Sequence, residues 1–289
     1  MIIKKNGNLD ENILREMREV ERICKSNDNL AGDVSLDSSL NFNQNIYNTF
    51  LYYNSNNLVS FLFIFMPTSN EAEVVGFTLP EYRQKGFFKS LLAEAISELK
   101  KYNIHKILFI CETNSLSGKE VVKRMKLQYG FTEYKMLYKK KISPLNENIS
   151  YRMMLHKPGV DEIEKLIYVS RQTFNDTYDD AKNLIQKSFE SQSRIQYAAL
   201  LDDYYIGMGS VYIEEDEATI FGLGILPQFQ GKGYGKELLQ LIIDDISNEK
   251  SCNIAIEVDS NNKAAFELYR KSGFEVVVAY DYYLKEIAE

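Results

Sequence analysis

The chain says much of what it has to say twice. TLPEYRQKGFFKSLLAEAISEL (Thr78 to Leu99) lies over ILPQFQGKGYGKELLQLIIDDI (Ile225 to Ile246) at a displacement of 147 residues, with Leu79-Pro80 on Leu226-Pro227, Arg83 on Gln230 and Gly86 on Gly233. A repeat this long constrains the fold more than composition can, because whatever core one copy builds the other must be able to build. Leu91, Leu92, Ala95, Ile96 and Leu99 fall on Leu238, Leu239, Ile242, Ile243 and Ile246, a spacing that lines one face of a helix. Both copies read as strand, proline-containing turn, helix.

Downstream, KRMKLQYGF meets ELYRKSGF through Gly130-Phe131 and Gly273-Phe274, now at a displacement of 143. That change implies a few loop residues gained or lost, and it sets Lys126 at the place of Tyr269. In each copy a β-like run (KILFIC, NIAIEV) precedes this helix and another (TEYKMLYKKKI, EVVVAYDYYLKEI) follows it. Ahead of the glycines stand two apolar strand candidates per copy, TFLYY and LVSFLFIFM, then YAALL and YYIGMGSVYI, preceded by helical patterns near Leu14 to Lys25 and Val160 to Phe174. The order is β-α-β-β-β-α-β-α-β, given twice. The expected class is α/β with a mixed sheet, in two tandem domains spanning 1–145 and 150–289. Their junction falls in ISPLNENISY, Ile142 to Tyr151, where Pro, Asn and Ser break the pattern. With 45% apolar and 26% charged residues, there is material for both cores.

A formal charge of -7 argues against a broad nucleic-acid footprint. MIIKKNGNLD lacks the apolar stretch of a signal peptide and LVSFLFIFM is too short to span a bilayer, so a cytoplasmic protein without a membrane partner is expected. Cys24, Cys111 and Cys252, with His105 and His156, show no ligand spacing; neither a metal site nor a structural disulfide is expected.

Glycines at the first turn of a helix let its free N–H groups approach an anion, and the helix dipole adds attraction. Gln230-Gly231-Lys232-Gly233-Tyr234-Gly235 is such a block. It falls short of the dinucleotide fingerprint, and no nucleoside-triphosphate loop occurs. The block resembles the Q/R-x-x-G-x-G/A signature of the GNAT family of acyl-CoA-dependent N-acyltransferases. Asn262 to Tyr269, followed by Lys271-Ser272-Gly273-Phe274, is similar to that family's N-x-x-A-x-x-L-Y-x-K-x-G-F. The resemblance covers the second half of the chain, and Asp216 to Gly235 is locally similar to members that acetylate protein N-termini.

The resemblance implies two tandem GNAT-like folds and acetyl-CoA or another acyl-CoA as co-substrate. Its diphosphate would sit on the turn from Gln230 through Gly231, Lys232, Gly233, Tyr234 and Gly235 to Lys236. Its pantetheine arm would lie between two splayed parallel strands, pairing with the backbone of Gly224, Ile225 and Leu226; Asn262 joins the set. Tyr269 is implied as proton donor to the leaving thiolate. Because an amine attacks a thioester only when neutral, a proton acceptor helps. The resemblance gives that place to Glu257, with Glu217 in reserve, although an acid between Ile256 and Val258 can equally face solvent. Asp176, Asp179 and Asp180 in TFNDTYDD could hold a cationic acceptor or cap a helix. The acceptor is a small-molecule or peptide amine, and oligomeric state is not legible.

The first copy departs where chemistry would need it: Gln84 replaces the first glycine, Phe88 the last, and Asn262 has no clear counterpart in ETNSLSGKEVV. It reads as a non-catalytic copy. An acyl-CoA sensor with little turnover is the competing reading, and Tyr269 speaks against it, since a sensor needs no proton donor.

Overall fold

A computed structural model describes residues 1–7, 9–139 and 151–287. They divide into two compact units, Met1–Thr132 with Val278–Glu289, and Glu133–Val277. The expected junction at Ile142 to Tyr151 lies, except for Tyr151, outside the described residues.

The first unit runs β1 (Ile2–Asn6), α1 (Glu11–Asp28), β2 (Tyr47–Asn54), β3 (Asn57–Phe65), β4 (Ala72–Thr78), α2 (Phe87–Lys100), β5 (Lys106–Glu112) and α3 (Leu116–Met125), then enters β6 (Gln128–Tyr138). The second holds β7 (Met154–His156), α4 (Ile163–Phe174), α5 (Tyr178–Glu190), β8 (Arg194–Leu201), β9 (Tyr204–Glu214), β10 (Glu217–Ile225), α6 (Tyr234–Glu249), β11 (Asn253–Asp259) and α7 (Lys263–Ser272), then enters β12 (Phe274–Glu286). The second copy thus has one helix, α5, beyond the expected order.

The two closing strands depart from the expected domains 1–145 and 150–289. Residues 133–137 of β6 pair antiparallel with β11 in the second unit, and residues 280–286 of β12 pair antiparallel with β5 in the first. Each copy's last strand therefore completes the other unit's sheet. Alternation of apolar and polar residues suits a closing strand to either sheet, so only the pairing reveals the crossing. Sheet order is β1-β2-β3-β4-β5-β12 in the first unit and β6-β11-β10-β9-β8-β7 in the second.

A single displacement of 147 carries from the end of β4 to the closing strands. Gly86 and Gly233 precede α2 and α6, Ser115 and Asn262 N-cap α3 and α7, and Lys126 and Gly273 end them in the left-handed conformation. Glu112 pairs with Tyr280 as Asp259 pairs with Glu133. This corrects the displacement of 143: the shared Gly-Phe dipeptide is coincidental, and Val122, not Lys126, stands where Tyr269 does. It also supplies the missing counterpart of Asn262, since Ser115 accepts from Gly118 N at 3.1 Å as Asn262 accepts from Ala265 N at 3.1 Å.

The helical stripes are buried as expected: Leu238, Leu239, Ile242, Ile243 and Ile246 on α6, and Leu91, Leu92, Ala95 and Leu99 on α2, with Ile96 half-buried. In the second unit they meet Ile220, Ile254, Ile256 and Tyr269 on one sheet face. On the other face Leu166, Ile167 and Ile185 of α4 and α5 meet Ala198 and Met208. Burying one such leucine or isoleucine contributes about 1.5–3 kcal/mol, which is why these faces fix where α6 begins.

Candidate active site

Strands β10 and β11 are parallel neighbours for only four pairs, Glu217 to Ile220 against Asn253 to Ile256. Beyond them β10 bulges against β9 between Phe221 and Gly224, with Gly222 at φ +57°, and the two parallel strands part. The gap leads to the glycine turn.

Leu226 N donates to Ile206 O at 2.8 Å, Pro227 opens a short 3₁₀ turn, and Gln230 Nε2 reaches back to Ile225 O at 2.8 Å. Gly231 and Gly233 take φ +72° and +88°, where a side chain is strained; a β-carbon at Gly231 would meet nothing within 4 Å. The turn thereby presents bare backbone at Gly231, whereas a β-carbon at Gly233 would lie 3.3 Å from Arg152 Nη2. Gly235 has ordinary φ, and its β-carbon would make normal contact with Leu268 at 3.6 Å. Gly224 is closed from the other side: a β-carbon there would lie 2.3 Å from Thr173 Cγ2 and 2.7 Å from Phe174 Cζ.

Of the two lysines, Lys232 donates to Gln228 O at 2.9 Å and Lys236 is exposed. Sequence reasoning missed Arg152, whose Nη1 donates to Lys232 O at 3.1 Å and whose Nη2 pairs with Glu237 at 2.9 Å. Its guanidinium carbon lies 4.3 Å from the Tyr234 ring centre. It stands some eighty positions ahead of the turn in a stretch without pattern, so no sequence signal links the two.

Tyr269 is 6% exposed on the α6/α7 side of the sheet, its ring 6.2 Å from that of Phe274. Among the described residues its hydroxyl has no hydrogen-bond partner. Burial raises its pKa to about 12, so it keeps its proton at neutral pH.

Glu257 points to the opposite face from Ile256 and Val258, which are buried. Its side chain keeps contact with solvent while surrounding protein atoms partly desolvate its carboxyl. That desolvation raises the carboxyl to about 7, Glu133 and Glu217 push the same way, and Lys135 opposes them. Lys135 faces Glu257 across the β6–β11 ladder and holds Glu217 Oε1 at 2.6 Å. Glu217 also accepts from Thr219 Oγ1 at 3.2 Å.

The TFNDTYDD segment ends α4 and starts α5. Asp176 accepts from Ser170 Oγ at 2.6 Å; Thr177, rather than an aspartate, caps α5 by accepting from Asp180 N at 3.1 Å, and its hydroxyl donates to Asp180 Oδ2 at 2.7 Å. Asp176 and Asp180 are thus held by local side-chain bonds. Thr173 and Phe174 bring the segment against the end of β10, and Thr173 Oγ1 is buried without a partner.

The first unit repeats the backbone but not the chemistry. Gln84 and Gly86 hold φ +62° and +86°, and Arg83 Nε donates to Thr78 O at 3.0 Å just as Gln230 does to Ile225 O. Strands β4 and β5 pair only over Ala72 to Val74 and then part around a cleft of about 1090 Å³, lined among others by Phe77, Phe88, Ile110, Val122 and Tyr280. Ile110 stands where Glu257 does and Val122 where Tyr269 does. Arg83 is itself taken, in a two-point pair with Asp28 at 2.8 Å.

The profile of the acetyltransferase (GNAT) family matches residues 160–274. A [ribosomal protein bS18]-alanine N-acetyltransferase of Haemophilus influenzae is 34% identical over 100 residues, covering 34% of this chain and 68% of that protein. The same-named protein of Salmonella typhimurium is 34% identical over 83 residues, covering 28% of this chain and 56% of its own length, so the chain spans little more than half of some relatives it matches. In structure the chain is similar to a GCN5-related N-acetyltransferase from Sphaerobacter thermophilus, with TM-score 0.74, 14% identity and coverage of 100% of this chain and 96% of that one. A tandem GNAT protein from the clavulanic acid biosynthesis pathway gives TM-score 0.72 at 12% identity, covering 100% and 99%. At such identities these two likenesses speak to the fold, and they fit two GNAT-like folds in one chain.

Proposed function

The chain belongs to the acetyltransferase (GNAT) family, and on that premise we propose that its second unit is an acetyl-CoA-dependent N-acetyltransferase acting on the amino group of a peptide or protein. The observation that carries the reading is the early parting of β10 from β11 ahead of a glycine turn with free backbone and no side-chain obstruction at Gly231. A diphosphate fits that turn: N–H groups from Gly231 to Lys236 and the dipole of α6 face it, and Lys232 and Lys236 flank it. The edge of β10 between Gly224 and Leu226 offers backbone for an amide-bearing arm, apart from Leu226 N and Ile225 O, which are bonded to Ile206 O and Gln230 Nε2, and Asn262, whose Oδ1 caps α7, would join the set through its amide nitrogen.

Acetyl-CoA, when bound there, supplies the activated acyl group. Glu257, with a carboxyl near neutrality, takes the proton of the attacking ammonium, and Tyr269, which keeps its proton, returns one to the departing thiolate. The amine attacks directly while both substrates are bound. A protein α-amino acceptor is favoured over a small amine by the named activity of the relatives, while the acidic face of Glu133, Glu217 and Glu257 suits a cationic amine of either kind. The first unit, with Ile110 and Val122 at the corresponding positions, is a non-catalytic copy. An acyl-CoA sensor is disfavoured because it would need neither Glu257 nor Tyr269.

The test is release of free thiol from acetyl-CoA in the presence of peptides beginning with alanine, set against a panel of small amines. Turnover with the peptides supports the reading; tight acetyl-CoA binding with no turnover on any amine would transfer it to a sensor.

A further inference from the structure

We propose that Lys135, carried into the second unit by the closing strand of the first repeat, is a positioning residue that keeps Glu257 able to ionise. The proposal rests on Glu257 being the proton acceptor. Its basis is geometric: β6 is the only partner of β11 on that edge, its register sets Lys135 directly opposite Glu257, and the same ammonium holds Glu217 at 2.6 Å. Glu133 on β6 and Asp259 on β11 form the next pair along, on the same face. Among the described residues, the charged groups beside Glu257 on β6, β10 and β11 are three carboxylates, Glu133, Glu217 and Asp259, and one cation, Lys135.

Remove the cation and Glu257, partly desolvated, would have to ionise among like charges, which it would do only at higher pH. Lys135 is 18% exposed and bonded to Glu217, so it is held in place rather than waving in solvent. The first unit gives the contrast: Tyr282 takes the place of Lys135 and faces Ile110, so that pair holds neither a cation nor a carboxylate. A cation opposite β11 is found where an acid needs it and is absent where none does. The first repeat thus serves the reaction through the strand it lends.

The experiment is carbon-detected titration of the Glu257 carboxyl in wild type, K135M, K135R and E133Q, with the pH profile of kcat/KM run alongside. The midpoint and the acidic limb of the profile are expected to rise by about one pH unit in K135M, return in K135R and fall in E133Q. A carboxyl midpoint unmoved in both K135M and E133Q overturns the proposal. The base assignment fails separately: if E257Q keeps wild-type turnover, Glu257 is not the acceptor, whatever its titration does, and Lys135 then has no catalytic role.

Discussion

Gly86 and Gly233 enter their helices at φ +86° and +88°, and Arg83 and Gln230 brace the preceding strand ends through the same carbonyl bond. The backbone of an anion cradle is present twice. What differs is the side chains around it: Glu257, Tyr269 and Lys135 on one side of the comparison, Ile110, Val122 and Tyr282 on the other. A fold can keep a turn because it joins strand to helix, long after the groups that gave it chemistry are gone. Function is therefore to be sought in the differences between the copies.

The largest test of that contrast is Tyr269→Phe. General acid catalysis contributes about 10²–10⁴-fold, and turnover should fall by that much while the acetyl-CoA Kd, read by calorimetry, stays put. Val122→Tyr should add no activity, because Ile110 leaves the first unit without a base. Turnover unchanged in Tyr269→Phe would reduce that phenol to core packing. Next comes Gly233→Asp, which sets a carboxylate against the diphosphate and forces a side chain into the left-handed region. Binding should weaken by about 100-fold, roughly 3 kcal/mol. Gly86→Asp should leave it nearly unchanged, and equal losses from the two would erase the division of labour between the copies.

Glu257 carries the pH prediction. Its carboxyl is pushed up to about 7 from the ordinary 4.5, so as the proposed base it ionises only as pH rises through 7, and kcat/KM should climb across that window and flatten in Glu257→Gln. The same shift has a stability sign. A raised carboxyl favours the folded state below pH 4.5 and loses that contribution as pH rises through 7, so Glu257→Gln should melt increasingly above wild type between pH 4 and pH 8. A constant difference in Tm over that range would mean the carboxyl is not desolvated.

The helices and their inward faces were legible because a 3.6-residue period needs no knowledge of partners: the stripe on α6 reads off Leu238 to Ile246 alone. The glycine turn was legible because positive φ selects residue type. That same rule misled at the end of α3, where Lys126 holds the left-handed position that Gly273 occupies in α7, and a chance Gly-Phe shifted the alignment by four residues. The exchange of closing strands was not legible, since Met136 and Tyr283 are apolar in whichever sheet they enter. Arg152 and Lys135 were invisible for another reason. Their role lies in what they oppose across space, and spacing along the chain carries none of that.

A smaller effect separates the braces. Arg83→Gln would keep the bond to Thr78 O, as Gln230 keeps its own to Ile225 O, but would strip Asp28 of a two-point partner. Asp28 is 11% exposed and retains Ser117, so the cost should be about 1–2 kcal/mol, read as a lower Tm with acetyl-CoA affinity unchanged.

The smallest effect expected is at the third glycine. Gly235 sits at ordinary φ with room for a β-carbon 3.6 Å from Leu268, and its counterpart Phe88 carries a whole ring at the same helical position. Gly235→Ala should therefore stabilise by about 0.5–1 kcal/mol through helix propensity and leave acetyl-CoA affinity within twofold. A loss near that of Gly233→Asp would show that the diphosphate sits deeper, over the first turn of α6 itself. In that event Phe88, and not the missing glycine before it, would be what closes the first copy to the same ligand.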